Sequence, residues 1–154
     1  MDSTIAKLLT IPTSFLLSGY YLSASQNTLP NIYAAPAPFS TKTFTGVYAR
    51  GMPVAVTGAL ITTASATYLA YTESAQRAQY GAIAALAFGV LPFTRVVMMR
   101  GIKRLMGLAK DGREAEKAGE SGEVEGLLRA WAKQNFIRCA MSFAAGMIAL
   151  VATY

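Results

Sequence analysis

The sequence predicts an all-α fold, an integral membrane four-helix bundle with a cytosolic amphipathic or mobile segment between the third and fourth helices. Three observations predict it. Hydrophobic residues make up 53% of the 154 positions and charged residues only 14%, where a soluble domain carries about 25% charged. The mean hydropathy is positive, at +0.36. Finally, the apolar residues gather into four runs, near residues 5–25, 48–71, 79–99 and 131–153. Each run is long enough to cross about 30 Å of hydrocarbon as a helix rising about 1.5 Å per residue. They lack internal turn signals, and backbone in lipid must satisfy its own hydrogen bonds, so helices are expected over strands. The length of 154 residues fits one domain, spanning 1–154.

The first run, "IAKLLTIPTSFLLSGYYLSAS", carries Pro12 as a kink or irregular turn. Ser23, Ala24 and Ser25 resemble a signal-peptide cleavage region, but the start of the chain is nearly neutral, which favours a retained helix. The second run holds "VAVTGALITTASATYLA", rich in the small residues that let membrane helices approach closely. In the third, Gly81, Ala85 and Gly89 recur every fourth residue and predict a close-packed seam, to which Ala140 and Ala144 of the fourth run add. Residues 26–47, with Pro30, Pro36 and Pro38, read as a loop, and "TESAQRA" at 72–78 as a short turn. Residues 100–130 read as a charged loop, mobile through "KDGREAEKAGESGEVEG", with "VEGLLRAWA" starting a helix that runs into the fourth span.

Charge sets the expected topology. The formal net charge is +6, and eight of the 14 basic residues (Arg100, Lys103, Arg104, Lys110, Arg113, Lys117, Arg129, Lys133) lie between the end of the third run and the first turn of the fourth. Such a block flanking a membrane fits a cytosolic loop rather than a nucleic-acid surface. Lys42 and Arg50 add to the same side, and only Lys7 and Arg77 fall on the other, so both termini are expected across the membrane from the cytosol. Cys139 stands alone, which rules out an internal disulfide, and the chain has no histidine to ligate a haem or zinc or to act as a base.

The polar residues within the runs suggest a site. Arg95 near the end of the third run, and Asn135 and Arg138 near the start of the fourth, are expected in the cytosolic half of the bundle. Tyr20, Tyr21, Gln26 and Asn27 close the first run on that side, and Tyr48 and Arg50 open the second. Trp131, Asn135, Arg138 and Ser142 follow the three-and-four spacing of one helical stripe. All four helices are thus expected to contribute to a shallow pocket opening toward the cytosolic interface. Blander readings stand beside this one: Arg95 snorkelling to headgroups, Asn135 bonding across helices, Trp131 as an interfacial anchor, and the tyrosines as an aromatic belt. In "LPFTRVVMMR", Pro92 frees a carbonyl one turn earlier and Thr94 is placed to re-satisfy the local backbone.

These segments resemble a known family. "SGYYLSAS", "VYARG", "LPFTRVVMM" and "LLRAWAKQNFIRCAMSFAAG" are similar to the corresponding stretches of small four-helix membrane proteins related to fungal anthrone oxygenases of polyketide secondary metabolism. The family's tryptophan, asparagine and arginine fall on Trp131, Asn135 and Arg138, and its proline and threonine on Pro92 and Thr94. The resemblance implies a monooxygenase acting on anthrone-like or other lipophilic polycyclic phenols, with O2 as co-substrate and neither organic cofactor nor metal. Arg138 would clamp the substrate anion, Asn135 would donate a hydrogen bond to its carbonyl, and Arg95 or Arg50 would strengthen the field. A tyrosinate among Tyr20, Tyr21 and Tyr48 would serve as base. The substrate pocket would draw on Tyr20, Tyr21, Asn27, Arg50, Thr94, Trp131 and Ser142. The endoplasmic reticulum is the implied location, with lumenal termini. A noncatalytic scaffold holding a biosynthetic enzyme, a homo-oligomer, and a cyclase or isomerase on a related metabolite are the competing expectations.

Overall fold

The computed structural model describes residues 2–153, and among these the regular structure is entirely helical. Helix α1 (Ser3–Ser23) starts where the Asp2 carboxylate accepts from the Thr4 N–H at 3.0 Å, an N-cap that satisfies one of the free donors of the first turn. It runs on through a π-helical turn, Ala24–Thr28, to the single turn α2 (Pro30–Tyr33). Helix α3 (Ala37–Thr72) follows, then a 3-10 turn at Ser74–Gln76 and α4 (Arg77–Phe93). A second π-helical turn, Thr94–Met98, carries α4 into α5 (Met99–Leu108); α6 (Gly112–Glu120) and α7 (Glu123–Thr153) complete the chain.

Four rods pack side by side in the cyclic order α1, α3, α4, α7. Three helical stretches are long and apolar enough to cross a membrane: Ala37–Thr72, Ser74–Leu108 and Glu123–Thr153. Their outward faces carry exposed aliphatic side chains such as Val96 and Val151, which water would not favour. Helix α1 is shorter and carries more hydroxyls. Thr10 and Ser14 return theirs to the carbonyls of Ala6 and Thr10 at 2.8 and 2.7 Å, which hides that polarity inside the helix.

The packing faces differ from the expected seam. Gly81 and Ala85 are exposed, as is Ala140, and of the three seam residues of α4 only Gly89 is tightly packed, a Cβ there lying 3.0 Å from Met141 Cε. The buried face of α4 is instead Tyr80, Ile83, Ala87 and Val90. Small residues do bring helices together elsewhere. A Cβ on Gly58 would lie 2.8 Å from a Leu17 methyl, and one on Gly146 would lie 3.0 Å from the Phe15 ring. Four-residue spacing of glycine therefore marks the wrong face of α4: bulk on the neighbouring helix decides which face turns inward.

Both long connections prove to be folded. Helix α3 begins at Ala37, eleven residues before the apolar run, and its 36 residues extend about 54 Å. That exceeds the about 30 Å of hydrocarbon. Its first turns join α2, α5, α6 and the start of α7 in a helical cap whose core is built from Leu29, Ile32, Phe44, Ile102, Leu105, Leu108 and Leu128, among others. The stretch expected to be mobile is α6, which buries Ala115 and Ala118. Asp111 caps it, accepting from the N–H groups of Arg113 and Glu114. Arg104 of α5 bridges to Glu114 of α6 and, at 2.7 Å, to Glu123 at the cap end of α7, and holds the Glu123 carboxyl below the usual carboxylate range. At the far end of the bundle Lys7 pairs with Glu73 at 3.4 Å.

Two tests follow from the cap. A Cβ on Gly119 would lie 2.6 Å from Ala37 Cβ, whereas one on Gly107 meets open space. Gly119→Ala is expected to loosen α6 from α3 and cost about 1–3 kcal/mol, whereas Gly107→Ala should gain up to about 1 kcal/mol of helix propensity. Thermal unfolding in detergent ranks the two, and equal midpoints would contradict this packing. Because the Glu123 pKa is lowered on folding, its contribution is complete above the unfolded carboxylate range and disappears as pH falls through the folded value. After correction for the intrinsic pH dependence of exchange, protection of the α6 amides should fall modestly at acid pH in the wild type, and this fall should be absent in Arg104→Gln.

Candidate functional site

The spacing on α7 places Trp131, Asn135, Arg138 and Ser142 on one stripe, and all four are buried. Asn135 is fixed first. Its Nδ2 donates to the Tyr21 carbonyl at 2.8 Å and to Ser25 Oγ at 3.1 Å, tying α7 to the end of α1 and the π turn after it. Ser25 Oγ in turn donates toward Tyr21 O at 2.9 Å and lies 3.3 Å from Ala132 O. Both amide protons of Asn135 are thereby used within the protein, so it does not offer the substrate the hydrogen bond expected of it. Its Oδ1 accepts from Arg138 Nη1 at 3.1 Å, and the guanidinium carbon lies 4.1 Å from the centre of the Tyr21 ring. Asn135 positions Arg138, and the ring face helps to hold the cation.

Beside Arg138 is a small cavity of about 30 Å³, lined by Tyr20, Tyr21, Ala24, Val47, Tyr48, Gly51, Met52, Ala55, Trp131, Asn135 and Arg138. Three helices and one π turn build it. Helix α4 takes no part, contrary to the expectation that all four would contribute. Among the described residues four buried side-chain polar atoms have no hydrogen-bond partner: Tyr21 Oη, Trp131 Nε1, Arg138 Nε and Thr62 Oγ1. The first three belong to residues that line this cavity. Each unmet buried group costs about 1–3 kcal/mol, so three of them offset a large part of the about 5–15 kcal/mol by which a domain is stable. Their common chemistry is hydrogen-bond donation. A ligand atom that answers them is an acceptor, and the fixed positive charge of Arg138 favours an anionic one.

The aromatic side chains are set by their neighbours. Trp131 packs edge-on against Phe44 at 5.4 Å, and Phe44 stacks on Tyr48 at 6.2 Å, which links the cavity to the core of the cap. Tyr20 places its hydroxyl on Gly51, where any Cβ would lie 2.0 Å from Oη. A second void of about 200 Å³ lies between α3 and the end of α4, bordered by Tyr48, Met52, Ala55, Val56, Leu91, Thr94, Arg95, Met99 and Arg138. Thr94 donates its hydroxyl to Val90 O at 2.8 Å, in the role expected beside Pro92.

Other expected residues are placed apart from the cavity. Arg95 is exposed on the rim of this second void, outside the inner cavity. Arg50 is exposed and folds toward Gly46, and Asn27 is exposed in the first π turn, where its carbonyl accepts from Asn31. Ser142 is buried beyond the cavity lining. Sequence reasoning misses Ser25, Gly51 and Met52. Ser25 carries a signal in lying one turn after Tyr21; the other two depend on contacts between helices. Among the described residues no cluster of three or more His, Cys, Asp or Glu side chains could hold a metal ion.

Comparison with curated proteins and with solved structures gives no match. The anthrone oxygenase family model matches residues 44–148. That range takes in α3 from Phe44 onward, all of α4 to α6 and most of α7, with Tyr48, Trp131, Asn135 and Arg138 inside it. By this match across more than half of its length, the chain belongs to the anthrone oxygenase family.

Proposed function

We propose that the protein is a membrane-embedded oxygenase that converts a lipophilic anthrone-like phenol to the corresponding quinone with O2, without a bound organic cofactor or metal. The observation that carries this reading is that Tyr21, Trp131 and Arg138, each with a buried polar atom lacking a partner, all line one cavity. An anthrone has a CH2 flanked by two rings and conjugated to a carbonyl. Loss of one proton from that carbon leaves the negative charge on the carbonyl oxygen, which is where Arg138 and Trp131 would donate. Transfer of one electron from the anion to O2, followed by bond formation between the ring carbon and oxygen, gives a peroxide that takes up the first proton. Loss of the second C–H proton with cleavage of the O–O bond releases water and leaves the new carbonyl. One O2 is consumed and one water formed per turnover.

No carboxylate borders either void, so the first proton passes to hydroxide; the half-buried Tyr48 lines both voids. Arg138 acts on the acidity of the substrate itself. In this reading the chain crosses the membrane four times, with α1 as the fourth crossing. The basic cap stands in the cytosol, both termini are lumenal, and the endoplasmic reticulum is the membrane concerned. A cyclase or isomerase would draw on the same donors for an enolate; its product keeps the substrate's mass, whereas oxygenation adds one oxygen and removes two hydrogens.

Purified protein with an anthrone under O2 should form quinone above the spontaneous rate. Arg138→Gln is expected to lower kcat about 10²–10³-fold, as loss of an oxyanion donor does, and Trp131→Phe about tenfold. The thermal midpoint of Arg138→Gln should reflect no more than one lost hydrogen bond, about 1 kcal/mol, and that of Trp131→Phe none, since its indole N–H has no partner. Native, Arg138→Gln and boiled samples all at the spontaneous rate would remove the enzyme reading and favour a noncatalytic scaffold. Turnover should also rise steadily between about pH 5 and 8, since the chain has no histidine to titrate there. A plateau or fall in that interval would point to a different proton acceptor.

A further inference from the structure

The inner cavity, at about 30 Å³, is the smaller of the two voids beside Arg138, so a ring system is better accommodated next to it than within it. Beside it the void of about 200 Å³ between α3 and α4 shares Tyr48, Met52, Ala55 and Arg138 with the cavity. Its remaining border is apolar except for Thr94 and Arg95. This void faces the outside of the bundle. Val96, next to Arg95, is 78% exposed, and Val56 on the opposing helix is 38% exposed. Three local features set its shape: Pro92 inside α4, the π turn Thr94–Met98 directly after it, and Pro53 beside Met52 in α3. Each interrupts regular helical hydrogen bonding.

We infer that this groove is the ring-binding subsite and the lateral route by which a planar polycyclic ketone or phenol reaches Arg138 from the bilayer. The inference rests on the proposed oxygenase reading for the identity of the reacting atom, but the subsite itself rests on the two adjoining voids. The ligand's apolar rings lie along Val56, Leu91 and Met99, and its oxygen passes between Tyr48 and Met52 to the donors on Arg138 and Trp131. Arg95 has no hydrogen-bond or ion-pair partner among the described residues, and it stands where a second phenolic oxygen of the ligand would emerge at the rim. A ligand already dissolved in lipid would thus keep its rings in an apolar medium throughout, and only its oxygen would change surroundings.

Trp131 is the only tryptophan and lines the inner cavity, so its fluorescence reports arrival of a ligand without any turnover. It also borders a separate wedge between α5 and α7, lined by Gly101, Ala130 and Gln134 among others, which offers a competing route. The probe is 9,10-anthraquinone titrated into the full chain in phospholipid nanodiscs. Saturable quenching of Trp131 is expected, with the apparent Kd raised about tenfold or more in Val56→Phe and, separately, in Leu91→Phe. Leu60→Phe, on the exposed surface of α3 outside the groove, and Ala130→Phe, in the wedge, should bind as the wild type does. Absence of saturable quenching in the wild type overturns the subsite. So does weakening by Ala130→Phe with wild-type binding in both groove variants, which would move the route to the wedge. Anthrone turnover is measured in parallel: quenching with the expected pattern but no turnover above background would keep the subsite and sink the oxygenase reading. Turnover that depends on Arg138 but is indifferent to both groove variants would do the reverse.

Discussion

The structure depends on the bond between Asn135 and the end of α1. A guanidinium inside a membrane bundle is costly, and the cost falls only if its protons and its position are fixed by other groups. Asn135 does this by turning both amide protons toward Tyr21 O and Ser25 Oγ and its oxygen toward Arg138. The same contact that holds two helices together therefore sets the direction of the cation. The π turn is where the arrangement is anchored: Ser25 lies in it, one turn beyond Tyr21, and its hydroxyl accepts from Asn135 while donating within α1. Replacing the network by apolar packing would make a more ordinary bundle, one without an oriented charge in its interior.

Bundle packing fills most space between the helices, so the two voids beside Arg138 need their own causes. Gly51 lets the Tyr20 hydroxyl lie against the α3 backbone, and both residues form part of the cavity wall. Trp131 is kept at its position by the edge contact with Phe44. On the outer side, the break in α4 at Pro92 and the π turn after it alter the face that α4 presents to α3. Small residues, an aromatic prop and a helix irregularity thus act together. None would be read as functional when taken alone.

How far the sequence reveals this depends on whether a feature is local. The stripe Trp131, Asn135, Arg138 and Ser142 is legible because helical spacing is a local property, and all four are buried as that spacing implies. The role of Thr94 beside Pro92 is local as well. The face of α4 is not: Gly81 and Ala85 repeat correctly but face outward, since the neighbouring helices meet Tyr80, Ile83 and Ala87 instead. The cap is hidden for a related reason. Ile102, Leu105 and Leu108 recur at helical spacing among charges and glycines that dominate the local composition, and their partners Phe44 and Leu128 come from helices distant in sequence. Asn135 shows the finer limit. Its burial follows from spacing, but whether its protons serve a ligand or the protein depends on Ser25 and Tyr21, which lie more than a hundred residues away.

The cap also bears on the site. Phe44 belongs to its core and touches both Trp131 and Tyr48, so two walls of the cavity are set by packing in the cap. Arg104 joins α5, α6 and α7 at surface charges whose pairing is weak in water, so the apolar core of the cap, more than its ion pairs, must hold this geometry. A polar stretch that looks like a tether between two spans is therefore structural. By burying Ala115 and Ala118 it keeps α3 and α7 in the register that brings Tyr48 and Trp131 to the same cavity. The charge of Arg138, held by Asn135, and the apolar border of the void beside it are thus supplied by different parts of the fold.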